Sequence, residues 1–159
     1  MGVPFPFEAS LEIPVMRSMQ LFMAVLLLFG VFATAQAEDA KGKTIFYNLT
    51  TDESWAAGMA LGQASAAVDN GYAVVVFLNV RGVYLASKSR AQDVFSGTGK
   101  TPREMLAQLI DGGARVVICP MCMKKAAIAE SDLMSGVELG GPKVTFPLLT
   151  ADDTVVMSY

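Results

Sequence analysis

The chain has 159 residues, with 12 basic and 15 acidic side chains for a formal net charge of −3, and no histidine. That length holds one or two small domains, and the scatter of Lys and Arg excludes the basic footprint of a nucleic-acid binder. The lack of histidine excludes a Cys–His hydrolase dyad, a Ser–His–Asp triad and a histidine-bearing zinc site within one chain.

The N-terminal segment reads as an export signal. Arg17 supplies one positive charge, residues 21–32 form an apolar run of 12, and Ala35-Gln36-Ala37 has the small-x-small form of a cleavage site. A membrane span needs about 20 apolar residues, and this run meets Gln36 and Glu38 first. Residues 1–15, with Pro4, Pro6 and Pro14, fit no part of a signal peptide; they are either an upstream extension before a true start at Met16 or Met19, or a tail of the protein. The expected division is therefore 1–37 for extension plus signal peptide and 38–159 for one domain, in a periplasmic or secreted location with membrane contact only before cleavage.

Residues 44–49 (Thr-Ile-Phe-Tyr-Asn-Leu) have strand composition, and 72–80 is a longer, nearly continuous apolar run. Continuous apolar strands belong to parallel sheets covered on both faces. Between them, residues 54–69 read as a helix with Trp55, Met59, Ala66 and Ala67 placed for close packing, stopped by Asn70-Gly71. The segment 83–94 reads as a short helix and 96–100 (Ser-Gly-Thr-Gly-Lys) as a plain loop, since it lacks the spacing of a phosphate loop. Thr101, Pro102 and Glu104 form a capping box that opens a helix over 102–111, ended by Gly112-Gly113. A third strand over 114–118 runs into Cys119-Pro120-Met121-Cys122 and a helix from 121 to about 130. Beyond it, a short strand at 137–139, one helical turn between the glycines and prolines, and a last strand at 154–158 complete the pattern. Strands alternating with helices predict a three-layer α/β/α sandwich around a mostly parallel sheet of about five strands.

Ligands and catalytic groups in such sheets gather at the carboxyl ends of the strands. The residues there are Thr50, Thr51 and Asp52 after the first strand, Asn79 and Arg81 after the second, and Cys119 after the third. If Pro120 is the first helical residue, Cys119 is the cap facing unpaired N–H donors and Cys122 lies one turn in. Cys119 is then the candidate nucleophile and Cys122 its resolving partner, with Lys124 and Lys125 as candidates for stabilising a thiolate. Against this stand three other readings: two inert buried cysteines, a local structural disulfide, and a thiol–disulfide oxidoreductase. Met121 and Met123, interleaved with the cysteines, add a Cu(I)-binding module, although Met is also an ordinary core filler.

The order of elements, the strand ending Val-Val-Ile-Cys119, the basic pair Lys124-Lys125 and the closing segment 151–159 resemble the DsrE/DsrF-like sulfur-relay family over residues 43–159. Cys119 falls on that family's active cysteine, and Ala127-Ile128 stand where Gly plus an aliphatic residue is usual; the Cys-Pro-x-Cys form resembles an exported subgroup. The resemblance implies a persulfide relay between sulfur-donor and sulfur-acceptor proteins or small thiols, with no cofactor and no resident metal. It also implies a homo-oligomer, trimer or hexamer; Trp55, Tyr84 and Phe95 are candidates either to line its interface or to be buried in the monomer.

Overall fold

The computed structural model describes residues 42–159, so the expected signal peptide and the segment before it lie outside the described residues. Five strands form one sheet: β1 (Thr44–Leu49), β2 (Ala73–Leu78), β3 (Arg115–Ile118), β4 (Val137–Leu139) and β5 (Thr154–Ser158). Their order is β4-β3-β2-β1-β5, every neighbouring pair being parallel. The register runs Leu49 opposite Leu78 and Leu78 opposite Ile118, so β1, β2 and β3 end level with one another.

Four helices connect them among the described residues: α1 (Ser54–Asp69), α2 (Pro102–Asp111), α3 (Pro120–Ala126) and α4 (Pro142–Leu149). The chain steps from β1 to β4 in one direction, and right-handed crossovers then place their helices on one face. The return from β4 to β5 runs the other way and puts α4 on the opposite face. The packing agrees. One apolar cluster joins α1, α2 and α3 to Leu49, Leu78 and Ile118, while a smaller one sets Val144, Leu148 and Leu149 of α4 against Phe46, Val75 and Val117. Each fully buried Leu or Ile of the first cluster contributes about 1.5–3 kcal/mol of apolar transfer. Among the described residues no helix is long and apolar enough to cross a membrane.

Local chemistry explains most element boundaries. Thr101 and Glu104 close the predicted capping box, with Pro102 in the first turn of α2. In α1 the buried stripe is Ala57, Ala60, Leu61, Ala64 and Ala67, at helical spacing. Trp55, Met59 and Ala66 fall off that stripe and are exposed, contrary to the packing role expected of them.

Three further expectations are corrected. The helix expected over 83–94 is only a 3₁₀ turn, Gly82–Ala86. The Gln92 side chain donates to the carbonyl of Leu85 at 2.8 Å, supplying a bond that a continuing helix would have made, and Ser87 is drawn aside by hydrogen bonds to Asp132 and Ser89. The helix expected over 121–130 ends at Ala126, because Ala127 adopts the left-handed conformation (φ 55°) and the Ile128 N–H reaches back to the Met123 carbonyl at 3.0 Å, which returns Ile128 to the core. The single turn expected after Gly141 is the eight-residue α4 with Pro142 in its first turn.

Candidate thiol site

β3 delivers Cys119 to the carboxyl edge with its N–H still bonded to the Leu78 carbonyl at 2.9 Å, so the ladder fixes its backbone. Cys119 is extended (φ −78°, ψ 112°) and caps α3, with Pro120 at the start of the helix, where a missing N–H costs nothing. Its sulfur accepts the N–H of Cys122 at 3.4 Å. Cys122, one turn in, has a sulfur that accepts the Val80 N–H at 3.1 Å. Both residues are half-buried free thiols. Burial, the hydrogen bond toward Cys119 and its charge push the Cys122 thiol up, and the Val80 N–H only partly opposes them. Folding therefore favours the thiol of Cys122 over its thiolate.

Val80 carries no signal in the sequence, yet it shapes the site. It is β-branched, 61% exposed, and held at φ 50°, a left-handed conformation that such residues rarely adopt. Its neighbours impose this. Asn79 N–H bonds the Leu49 carbonyl at 3.1 Å, Arg81 N–H bonds the Thr50 carbonyl at 3.0 Å, and the Arg81 guanidinium grips Asp52 at 2.7 and 2.8 Å. Gly82 closes the turn so tightly that an added Cβ would sit 2.2 Å from the Leu49 carbonyl oxygen, so only glycine fits. Strain held in place by over-determined surroundings is a mark of functional loops. The clue available in the sequence was Gly82 just beyond the strand.

Of the predicted site residues, the fold brings together Cys119 with Cys122, Asp52 with Arg81, and Asn79 with Asn48. Thr51 instead accepts the Glu53 N–H at 3.0 Å and shapes the turn into α1. Lys124 and Lys125 sit exposed in the last turn of α3, where positive charge suits the helix dipole, and make no hydrogen bond or ion pair among the described residues. Asp52 also lines a polar cavity of about 180 Å³ with Ser54, Tyr84, Arg90, Gln92 and Asp93, and neither cysteine reaches it. Arg90 and Arg81 lie 4.4 and 5.4 Å from the centroid of the Tyr84 ring. Met121 is 83% exposed, whereas Met123 is buried in the core, which leaves only Met121 beside the thiols as a soft thioether donor. Phe95 packs against the core beside Gly58.

The fold and site together define an α/β domain that presents a cysteine cap at the end of its third parallel strand. The family model described as DsrE/DsrF-like matches residues 43–156, and the chain belongs to that family, which makes its fold a sulfur-relay-related one. An uncharacterized protein of Methanopyrus kandleri, MK0008, is 37% identical over 82 residues, half of this chain, and the match spans 63% of that relative's length. The crystal structure of the ychN protein from E. coli superposes with a TM-score of 0.59 at 20% identity, covering 72% of this chain and 98% of the other. The protein of unknown function MTH1491 from Methanobacterium thermoautotrophicum does so at 0.55 and 13%, covering 74% and 99%. At those identities the two structures support the fold alone.

Proposed function

We propose that the protein is a persulfide carrier, exported by its N-terminal signal, in which Cys119 accepts and passes on a sulfane sulfur. The single observation that carries this reading is the Cys119 sulfur standing as the cap of α3 at the carboxyl edge, hydrogen-bonded to the Cys122 N–H. In loading, the Cys119 thiolate attacks the outer sulfur of a donor persulfide; the donor S–S bond breaks, the electron pair leaves on the donor thiolate, and Cys119–S–SH forms with no net oxidation. In transfer, an acceptor thiolate attacks that outer sulfur and the pair returns to Cys119. Cys122 provides a second exit. Once deprotonated it attacks the inner sulfur, releases hydrosulfide and leaves a Cys119–Cys122 disulfide, which a thiol reductant must reopen.

Donors and acceptors are proteins or small thiols, and the carrier assembles as a homo-oligomer in keeping with its family. No step needs a cofactor. Intact-mass analysis of the full chain after exposure to a small persulfide tests the reading: the wild type gains about 32 Da, one sulfur atom, and Cys119→Ser gains nothing. A wild type that never gains that mass contradicts it. The placing of Cys122 one turn into the helix that Cys119 caps, with its N–H on the Cys119 sulfur, also favours a second reading, a thiol–disulfide oxidoreductase. That reading requires turnover with a protein disulfide and no sulfur loading.

A further inference from the structure

Just beyond β2 the sheet hands a backbone donor to a side-chain sulfur. The Asn79 and Arg81 N–H groups turn toward the end of β1 and bond the carbonyls of Leu49 and Thr50 at 3.1 and 3.0 Å. Along a strand the backbone groups alternate sides, so the Val80 N–H between them faces β3. The carbonyl that would continue the ladder there is that of Cys119, but the Met123 N–H already takes it at 3.0 Å as α3 begins. The Val80 N–H meets the Cys122 sulfur instead, at 3.1 Å.

That arrangement has to be held. A β-branched residue in the left-handed conformation, here at φ 50°, is disfavoured about five- to thirtyfold in a free chain. Val80 is exposed, so its own side chain packs too little to fix it. The restraint comes from the next residue. Arg81 donates from Nε and Nη2 to the two carboxylate oxygens of Asp52, at 2.7 and 2.8 Å, and Asp52 belongs to the turn out of β1. Two parallel bonds fix orientation as well as position. With Asn79 continuing β2 on one side and Arg81 clamped on the other, Val80 is the residue that bends between them.

We propose that Asp52 and Arg81 are positioning residues for Cys122: their ion pair holds Val80 in the conformation that turns its N–H onto the Cys122 sulfur, and so sets how readily Cys122 attacks a loaded Cys119. The role deepens the carrier reading and rests on it for the discharge step. In that step the Cys122 thiolate bonds to the inner sulfur of Cys119–S–SH, the bond to the outer sulfur breaks, and its electron pair leaves with hydrosulfide. An N–H group bonds a thiolate more strongly than a thiol, so it enlarges the fraction of Cys122 ready to attack. The other titratable groups near that sulfur are Cys119 at the helix cap, Arg81 with Asp52, Tyr84 against Arg81, and Lys124 and Lys125, exposed in the last turn of α3. Removing Asp52 therefore acts in two opposed ways. The unpaired Arg81 charge would lower the Cys122 thiol, whereas loss of the Val80 N–H raises it.

The pH profile of Cys122 alkylation tests the proposal in the full chain carrying Cys119→Ser, where Cys122 is the only thiol. Asp52→Ala moves the midpoint up by about one pH unit, the tenfold expected from one charge-assisted hydrogen bond. At neutral pH the rate falls only about threefold, because the less acidic thiolate is the better nucleophile. Adding Val80→Gly returns the midpoint toward that of Cys119→Ser alone, since glycine adopts the left-handed conformation without a clamp. With Cys119 present and loaded by a small persulfide, Asp52→Ala releases hydrosulfide about threefold more slowly.

A midpoint that stays or falls overturns the proposal. So does a rise that Val80→Gly leaves in place, which marks general loosening of the turn, and so does a loaded Asp52→Ala chain that discharges at the wild-type rate. A wild type that takes up no sulfur, while Asp52→Ala still shifts the midpoint, removes the carrier reading and leaves the positioning of Cys122 standing.

Discussion

At the start of α1 the Glu53 carboxylate accepts the N–H groups of Trp55 and Ala56 at 2.9 and 2.8 Å, whereas at the start of α3 the cap is the sulfur of Cys119, with one contact of 3.4 Å to the Cys122 N–H. Both helices follow parallel strands that end at the same edge. A carboxylate is a strong acceptor and already charged, so it satisfies its helix end and has no chemistry left to offer. A sulfur is a weak acceptor, and it leaves the helix end poorly satisfied but keeps a nucleophile there. On the carrier reading, the contrast marks where this fold gives up stability for reactivity.

The largest expected effect breaks the contrast outright. Cys119→Ser gives α3 a preferred cap residue, so the chain stays folded with an unchanged or slightly raised Tm, yet mass analysis finds no sulfur loading at all. Next comes the difference between the two thiols. Burial raises the Cys122 thiol, so in the folded chain its alkylation at neutral pH runs roughly tenfold slower than in the denatured chain and accelerates only above the ordinary thiol value of about 8.5. The sign follows for stability too: the protonated form is favoured by folding, so whatever Cys122 contributes is present below that pH and is lost as pH rises through its folded value.

Glu53→Ala sharpens the other side of the comparison. Its carboxyl is held below the usual range by the N–H groups of Ala56 and Trp55, so its contribution exists above about pH 4.3 and disappears as pH falls through the folded value. The variant lowers Tm by about 2–5 °C at pH 7, loses that difference toward pH 3 in thermal melts, and loads Cys119 as before. The smallest effect lies at the far end of α3. Ala127→Gly removes the left-handed penalty at φ 55° and raises stability in denaturant titration by about 0.5–1 kcal/mol.

How much of this was legible in the sequence depended on whether the signal was local. The Thr101–Glu104 capping box, the Pro120 start of α3 and all five strands were readable because a few neighbouring residues determine each of them. The stop at Ala127 was not, because an alanine took the left-handed position that glycine normally marks, and what fixes it is the return of Ile128 to the core. The 83–94 segment failed for a related reason: Gln92, inside the segment, folds its side chain back onto the Leu85 carbonyl, and Asp132, which draws Ser87 aside, comes from far along the chain. At the site, Cys119 and its role as cap followed from spacing alone. Val80 did not, because its N–H meets Cys122 only once β2 and β3 lie side by side.

The central claim is that the sulfur goes to the helix cap and not to its neighbour. Peptide mass spectrometry of the full chain, exposed briefly to a small persulfide and then alkylated, reads this directly. The account predicts the added sulfur on Cys119 with Cys122 carrying the alkyl group alone; sulfur on Cys122, or divided evenly between the two, would contradict it.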